Sequence, residues 1–559
     1  MSAIGQVAAV TTRRQDATVN ALDLSIIWST LVSVCEEMGS TLRSTAFSEA
    51  VREADDFSTG LFDRQGRLIA QGNFTPGHLG SMPYVVKHVE DYYPRGTLGD
   101  GDCVILNDAW MGSGHFPDIY MVSPVHVDGR FVGYAVNIAH HVDVGGAAPG
   151  SQKVELTEAF QEGIRILPVR AVVGGRWNPE ALRIVLANVR LPDIVKGDLE
   201  AQRNANHSGA KHLRELVATY GIETFDAAVN EILDRSEQRT REAIRAMPEG
   251  TFAFEDYLET GIEGSPMVKV SVEVTIKDGE ITADFSKSDD QVPVAINSYI
   301  NYTRAHGVFA IHMFTDARMP HNEGRLRPLK VIAREGSFFN PKFPAPSGAR
   351  AVIPMRTFEV INGALSKCLP KRAIAAFSHM SNAIVSGINP RDGSRFIYYD
   401  LTFAGYGGRD GADGVEGMSP VINCATIPVE VHEAINPVLV HCLQAIPDSG
   451  GRGQYRGGCG LRKDIEILGD DCMVTLLGDR HMVAPYGLMG GEPGTLARTI
   501  INPDGEALEL GGKETRPLKK GDVLSFRLAG GGGYGNPADR DPRAIEADIA
   551  DGYTTARTT

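Results

Sequence analysis

Residues 107–151, NDAWMGSGHFPDIYMVSPVHVDGRFVGYAVNIAHHVDVGGAAPGS, decide the local fold because they hold a β-hairpin between two glycine-rich loops. Two runs of strand-forming residues, 119–127 and 131–139, stand on either side of Asp128-Gly129, which is typical of a tight turn. The stretch therefore predicts two paired antiparallel strands whose far ends lie next to each other.

The register of this hairpin predicts which side chains meet. If the strands pair across the turn, the numbers of opposite residues sum to about 257, so residue 117 faces residue 140. His115 and Asp118 then lie beside His140 at the loop end of the hairpin. Two imidazoles and one or two carboxylates form a ligand set that suits Zn²⁺, Mn²⁺ or Fe²⁺. The alternative is a group of loop histidines that form hydrogen bonds near a turn, and spacing alone leaves both open.

Residues near His140, and an acidic cluster earlier in the chain, bear on which side chains are expected to bind the metal. Because consecutive residues of a strand point to opposite faces, His140 and His141 are not both expected as ligands, and one is expected to orient the other. Asp143 follows in the same loop. A separate acidic cluster, Glu53-Ala54-Asp55-Asp56, is by itself typical of a solvated turn and becomes relevant only if the fold carries it to the histidines.

The rest of the chain predicts an α+β protein of three regions. An N-terminal metal-binding α/β region (1–195) begins with an amphipathic helix over 19–43 and a hairpin of 57–63 with 68–71. A helical hairpin within 191–247 connects it to the rest and opens a central α/β region (196–350), which also has a hairpin at Asp278-Gly279 and a buried helix within 291–318. A β-rich C-terminal region (351–559) ends with a short helix near residue 545.

Composition limits the classes of function. The formal net charge of −15 gives no basic face for nucleic acid or for an anionic membrane. No run of about 18 apolar residues spans a membrane, and the first 19 residues place their arginines after the apolar stretch, unlike a secretory signal. The seven cysteines form no C-x-x-C pair, which favours reduced thiols and a cytoplasmic protein.

Several glycine-rich stretches resemble nucleotide motifs without meeting their requirements. Gly530, Gly532 and Gly535 match G-x-G-x-x-G, but Pro537 follows and too little chain remains for a βαβ unit. Gly511-Gly512-Lys513 lacks the first glycine of a phosphate-binding loop, so no ATP site is recognisable. Residues 448–460, DSGGRGQYRGGCG, are interpreted either as a tight turn between β elements or as an anion site using Arg452 and Arg456.

Many ordered blocks resemble the hydantoinase B/oxoprolinase family, which includes B subunits of ATP-dependent hydantoinases and related subunits of ketone carboxylases. The resemblance covers almost the full chain. The blocks include EEMGSTLRSTAFSEAVREADDFSTGLFDRQGRLIAQ, HLGSMPYVV, GDCVILNDAWMGSGHFPDI, NIAHHVDVGGAAPGS, MPHNEGRLRPL, FPAPSGAR, PDSGGRGQYRGGCGL and AGGGGYGNPADRDP.

The resemblance implies a metal site in this chain and a separate ATP-binding role for a partner subunit. It implies that a divalent metal (Zn, Mn or Fe) is held by Asp56, His115, Asp118 and His140. His141 and Asp143 are then candidates for moving a proton. The chain is expected to act within a heterotetramer or larger complex, in which a hydantoinase A-type partner subunit binds ATP and phosphorylates a cyclic amide or ureide (hydantoin, 5-oxoproline or lactam).

Two alternatives stay open. One is a subunit of an ATP-dependent ketone carboxylase of the acetone or acetophenone type, and the other is a non-catalytic scaffold for the A-type subunit. Family members often have N-D-P-Y-x-G-G-T-H-L-P-D, where this chain has Trp110 and Phe116 in place of the tyrosine and leucine. This departure leaves the ligands in place and changes the apolar wall near them.

Overall fold

The computed structural model describes residues 19–262 and 264–555, so the expectation about the N-terminal residues 1–18 lies outside the described residues. The predicted α+β class is confirmed. No helix in the described ranges combines the length and apolar character needed to cross a membrane. All seven cysteines, which lie within these ranges, are free thiols as predicted.

The first part of the chain is a sheet covered by helices on both faces. The strands pair in the order β2-β1-β5-β4-β3-β6-β7. They are β1 (Phe57–Asp63), β2 (Leu68–Gln71), β3 (Cys103–Leu106), β4 (Asp118–Val127), β5 (Arg130–His140), β6 (Val169–Val173) and β7 (Arg176–Trp177). The accompanying helices are α1 (Ala21–Thr45), α2 (Glu49–Arg52), α3 (Pro76–Tyr92), α4 (Pro179–Ala187), α5 (Pro192–Tyr220) and α6 (Ile222–Arg245).

Burial on both faces explains why these strands lack an alternating pattern. Helices α1 and α5 pack together on one face, against residues such as Phe57 and Ala135. Helix α3 packs on the other face, against Phe62 and Tyr120. All seven residues of β1 are therefore buried. The predicted first helix, both predicted hairpins of this part and the predicted helical hairpin are confirmed, with ends shifted by a few residues.

The central part is a four-stranded sheet with the order β11-β10-β9-β8, covered by helices. Its elements are β8 (Gly250–Leu258), β9 (Val268–Lys277), β10 (Glu280–Asp284), α7 (Ile300–His312), α8 (Glu323–Leu326), β11 (Leu329–Ile332) and α9 (Ile353–Leu365). Helix α9 packs on β8 and β9, while α7 packs between α9 and α3. The predicted hairpin at Asp278-Gly279 and the predicted buried helix are confirmed.

The C-terminal part is β-rich, as predicted, and consists of two antiparallel sheets that share a core. Its elements are β12 (Met380–Ile388), β13 (Arg395–Phe403), α10 (Val429–Ile435), β14 (Val438–Ile446), β15 (Gly460–Ile467), β16 (Asp470–Leu477), β17 (Arg498–Ile501), β18 (Leu508–Leu510), β19 (Lys513–Leu518), β20 (Val523–Arg527) and α11 (Pro542–Ala550). Short 3₁₀ turns occur at Pro149–Ser151, Ala159–Gln161, Pro370–Arg372 and Pro537–Asp539. The division of the chain at residues 195 and 350 stays a prediction.

One helix after residue 350 was not predicted. Helix α9 opens that region, and every one of its residues is buried. Its polar side chains meet a charge network rather than water. Arg356 pairs with Asp256 of β8 and places Nη2 2.8 Å from Asp479 Oδ2, while Arg480 Nη2 lies 2.6 Å from Glu359 Oε1. The network therefore joins the central sheet to the loop after β16.

The glycine-rich segments form a bundle in which backbone packs directly on backbone. We call residues 404–408, 449–458, 487–494 and 529–535 the glycine bundle. Gly451 N donates to Gly531 O at 2.8 Å, Gly531 N donates to Gly458 O at 2.9 Å, and Gly533 N donates to Glu492 O at 2.9 Å. The stretch with Gly530, Gly532 and Gly535 and most of residues 448–460 lie here, whereas Gly511-Gly512-Lys513 lies outside the bundle. Glycine is needed at the positions in the bundle because neighbouring segments of the backbone leave no room for a side chain.

We expect Gly457→Ala to lower the free energy of unfolding by about 1–3 kcal/mol, because its Cβ would overlap the carbonyl oxygen of Gly531, which cannot move away. Thermal and urea unfolding would measure the change. Gly505→Ala is the matched control, since its nearest neighbouring atom would stand 3.9 Å from the new Cβ. Equal stabilities of the two variants would contradict close backbone packing in the bundle.

Candidate metal centre

A β-bulge sets the geometry at the end of the β4–β5 hairpin. Near the turn His126 pairs with Phe131, but the register shifts between Val125 and His126, and beyond it Asp118 pairs with His140. The prediction that residue 117 faces His140 is therefore wrong by one residue. Because a bulge adds one residue to one strand, Asp118 rather than Pro117 stands directly opposite His140.

Three predicted site residues come together in this position. His115 Nε2 lies 2.8 Å and His140 Nδ1 3.0 Å from Asp118 Oδ1. One potential ligand atom from each residue lies within 4.8 Å of the others, and all three side chains are buried. Asp118 begins β4 and His140 ends β5. His115 leaves a tight loop in which Gly114 has φ 93°, a backbone conformation that favours glycine.

Asp56 is carried to the same cavity by the chain between α2 and β1. The backbone N–H of His140 donates to Asp56 O at 3.0 Å, which fixes the two residues side by side. The Asp56 side chain lines the cavity, with Oδ1 3.8 Å from His78 Nε2, but it is not part of the group of three. Its neighbour Asp55 pairs instead with Arg43. The acidic cluster is thus split between the cavity and a surface ion pair.

The structure does not bring His141 and Asp143 to the cavity. His141 Nε2 lies 3.0 Å from Gln202 Oε1 of α5, on the opposite side of the sheet from His140. Asp143 accepts hydrogen bonds from the backbone of Gly145, Gly150 and Arg190 and pairs with the Arg190 guanidinium at 2.8 Å. These contacts give the two residues a role in fixing the loop after β5. They give no support to the prediction that these residues move a proton.

Other functional groups of the cavity were missed from the sequence. His78 and Arg350 both approach Asp118 Oδ2, at 3.3 and 3.1 Å. Gln152 Nε2 lies 3.5 Å from His140 Nε2. His306 of α7 also lines the cavity. The blocks HLGSMPYVV and FPAPSGAR contain His78 and Arg350, so the family resemblance held a signal for them. No local motif marks His306.

Burial and neighbouring charges adjust the ionisation of the cluster. Burial, together with the Arg350 cation, lowers the pKa of His115 to about 3. Burial by itself raises the pKa of Asp118, but His115 and His78 outweigh it and hold that pKa well below its usual value. For His140, the hydrogen bond to Asp118 and the charge of Asp56 outweigh burial and raise the pKa. A neutral His115 and an ionised Asp118 are the forms that bind metal ions.

The residues fit a divalent cation. A single buried carboxylate, Asp118, is contacted by His78, His115, His140, Ser113 and Arg350. Within the described part of the chain, His115 Nδ1 and His78 Nδ1 are buried and have no hydrogen-bond partner. Two imidazoles with carboxylates suit Zn²⁺, Mn²⁺ and Fe²⁺ alike.

The cavity around the cluster, which we call the metal cavity, is small and is lined mostly by buried residues. Its volume of about 50 Å³ accepts a few water-sized molecules. Tyr302, Met380, Tyr399 and Leu401 supply apolar wall, and Cys424 lies beside Asp56. Burial and the Asp56 charge raise the pKa of the Cys424 thiol well above its usual value, so it faces the cavity as a neutral group.

Fold and cluster together define an α+β protein with a candidate metal centre of two histidines and an aspartate. A family model described as Hydantoinase B/oxoprolinase matches residues 20–537. The chain therefore belongs to the hydantoinase B/oxoprolinase family.

Three known proteins illustrate the likeness. An uncharacterised protein of Methanocaldococcus jannaschii is 35% identical over 95% of this chain and 94% of its own length. The caprolactamase subunit beta of Pseudomonas jessenii is 30% identical over 96% of this chain and 94% of its own. The crystal structure of that organism's ATP-dependent caprolactamase superposes with a TM-score of 0.90 at 27% identity, covering 97% of this chain and 95% of that one. A nucleotide-free acetone carboxylase structure shares the fold (TM-score 0.88, 19% identity, 96% and 78% covered).

Proposed function

We propose that this chain is the metal-carrying subunit of an ATP-dependent enzyme that opens a cyclic amide or ureide. A hydantoinase A-type partner subunit binds ATP and phosphorylates the substrate oxygen, and the two kinds of subunit assemble as a heterotetramer or larger complex. Asp56, His115, Asp118 and His140 hold the metal ion in this proposal. The observation that carries it is the buried His115–Asp118–His140 cluster in a chain similar to a caprolactamase subunit.

The proposed chemistry needs activation because an amide carbonyl is stabilised by resonance and its nitrogen leaves poorly. When bound, a divalent metal supplies a Lewis acid and lowers the pKa of a water molecule. Side chains around the site position the proposed ligands. Gln152 Nε2 lies 3.5 Å from His140 Nε2, and the Arg350 guanidinium lies over the Tyr302 ring at 3.6 Å while it contacts Asp118. These contacts fix the positions of the ligands before substrate arrives.

His306 is the residue best placed to handle a proton at the cavity wall. Both of its ring nitrogens are buried without a hydrogen-bond partner among the residues that the structure describes. Burial and the Arg350 cation hold its pKa well below the usual value, so the ring is neutral. A neutral imidazole can accept a proton at one nitrogen while it releases one from the other, so His306 relays a proton from the attacking water to the departing amide nitrogen. In this proposal His306 takes the role first assigned to His141 and Asp143.

The decisive experiment combines this chain with its A-type partner and measures phosphate release with ATP. A panel of lactams, hydantoins and 5-oxoproline serves as candidate substrates. We expect at least one cyclic amide to stimulate ATP turnover and to yield the ring-opened acid by mass spectrometry.

Two outcomes would replace the proposal. ATP turnover that needs a ketone together with bicarbonate, and no cyclic amide, would establish the carboxylase alternative. Cyclic-amide hydrolysis that survives both His115→Ala and His140→Ala would favour the scaffold alternative.

A further inference from the structure

A second cavity, which we call the outer cavity, lies next to the metal cavity and has a volume of about 290 Å³. This is close to the lower limit for small-molecule sites. Asn73 and Asn423 are exposed at its edge, where Asn423 Nδ2 donates to Asn73 O at 2.8 Å. Its interior is mostly apolar and includes Phe74, Leu79 and Phe309.

The two cavities share one thin wall. In the segment 74–79, Phe74, Pro76 and Leu79 line the outer cavity, whereas Thr75, Gly77 and His78 line the metal cavity. The segment 421–424 and helix α7 divide their residues between the two cavities in the same way. A single layer of chain therefore separates a small-molecule-sized cavity from the candidate metal centre.

Part of that wall has an unfavourable backbone conformation. Val421 has φ 60° and Asn423 has φ 55°. The left-handed region is a rare conformation for a β-branched residue such as valine. The wall segment 421–424 thus holds backbone strain at the boundary between the two cavities.

A pair of histidines contributes polar groups to the outer cavity. The rings of His312 and His321 lie 5.0 Å apart. His312 is 3% exposed, and its Nε2 has no hydrogen-bond partner in residues 19–262 and 264–555. A buried polar atom without a partner is costly, and a ligand that pairs with it recovers that cost.

The fully buried Arg325 sets the proton position of the His321 ring. Its Nη1 faces His321 Nε2 at 3.5 Å, and because a guanidinium only donates, that nitrogen is the acceptor and His321 carries its proton on Nδ1. His312 Nε2, which has no partner in the described part of the chain, is an acceptor when this ring carries its proton on Nδ1. Burial and the Arg325 cation lower the pKa of His321 to about 3 and that of His312 well below its usual value. Both rings are neutral, and together they offer one acceptor and one donor.

We propose that the outer cavity is a second binding site, which holds an uncharged cyclic amide one layer of chain away from the candidate metal centre. A small ring forces its amide to be cis, so the N–H and the carbonyl oxygen lie on the same edge. His312 Nε2 accepts from that N–H, and His321 Nδ1–H donates to the carbonyl oxygen. The ring carbons pack on Phe74, Leu79 and Phe309. The choice of ligand rests on the proposed function, whereas the site itself rests on the cavity and the histidine pair.

The test measures binding of 2-piperidone to the full chain by ligand-observed NMR and calorimetry, with N-methyl-2-piperidone as the matched ligand without an N–H. We expect the methylated ring and the variant His312→Phe each to weaken binding about 10-fold or more. His312→Gln keeps an acceptor at this position and should bind within a few-fold of wild type. It also shows that substitution here preserves the fold.

His115→Ala separates this proposal from the proposed function. Binding that persists in His115→Ala and is lost in His312→Phe would establish the outer site, even if the complex hydrolyses no lactam. Binding that is lost in His115→Ala and unchanged in His312→Phe would place the ligand in the metal cavity and overturn the inference. The inference is also overturned if wild type binds 2-piperidone no better than its N-methyl analogue, or does not bind it at all.

Discussion

His115→Ala and His140→Ala are each expected to lose the bound metal and to lower ATP-coupled ring opening at least about 10³-fold. Both imidazoles lie at Asp118 Oδ1, at 2.8 and 3.0 Å, so either substitution removes one ligand from a buried set of three. A Lewis acid contributes several kcal/mol to the transition state, and each 1.36 kcal/mol is tenfold in rate. Elemental analysis should find about one ion per chain in wild type and a small fraction of that in either variant.

The matched control is His441→Ala. This histidine is exposed in β14 and pairs with Glu466 at 2.8 Å, far in sequence from the cluster. It should keep its metal and its activity. Full metal occupancy in His115→Ala and His140→Ala, or a metal-free wild type after purification without chelators, would show that the ligand assignment is wrong.

Arg356→Met should lower the free energy of unfolding by about 3–5 kcal/mol, the largest effect on stability that we expect from a single side chain. Arg356 is completely buried and contacts Asp256, Asp479 and Glu359. Removing its charge leaves these carboxylates buried with fewer cations around them, and breaking a buried pair from one side carries this cost. Chemical unfolding followed by circular dichroism would measure it.

Lys330→Met provides the comparison. Lys330 Nζ contacts Glu280 Oε2 at 3.0 Å, but this pair lies at the surface, where such pairs contribute less than about 1 kcal/mol. If the two variants unfold at the same denaturant concentration, the buried network does not hold the C-terminal part to the central sheet.

The sequence predicted the hairpin of the site and missed one detail that matters. Turn chemistry at Asp128-Gly129 and strand propensity are local, so both were accessible from the residues alone. The bulge leaves Val132 unpaired between Phe131 and Gly133, and its one signal in the sequence is Gly133, whose φ is 155°. The prediction did not use that glycine, and a shift of one residue changes which side chain faces His140. The prediction located His115, Asp118 and His140 at one end of the hairpin but assigned the wrong neighbour to His140.

The other features that the sequence did not reveal depend on contacts between segments that are far apart in the chain. Asp56 is positioned at the cavity by a backbone hydrogen bond with His140, and His306 is positioned there by the packing of α7 on α3. No local sequence pattern reveals either contact. Helix α9 was missed because its Arg356 and Glu359 do not face water but a buried partner network. Hydrophobic periodicity assumes that charged residues mark the solvent face, and in α9 that assumption fails.

The glycine bundle has a consequence for how this protein can change over generations. Gly457 packs against the backbone of Gly531, and Gly405 packs against that of Gly458. At such positions every other amino acid would place its Cβ in steric overlap with the neighbouring segment. Adaptation to a new substrate therefore has to come from the helices and loops around the two cavities, while this part of the chain acts as a fixed frame. A codon-saturation library should show intolerant positions throughout the glycine bundle and more tolerant ones at apolar wall positions of the outer cavity, such as Leu79 and Phe309.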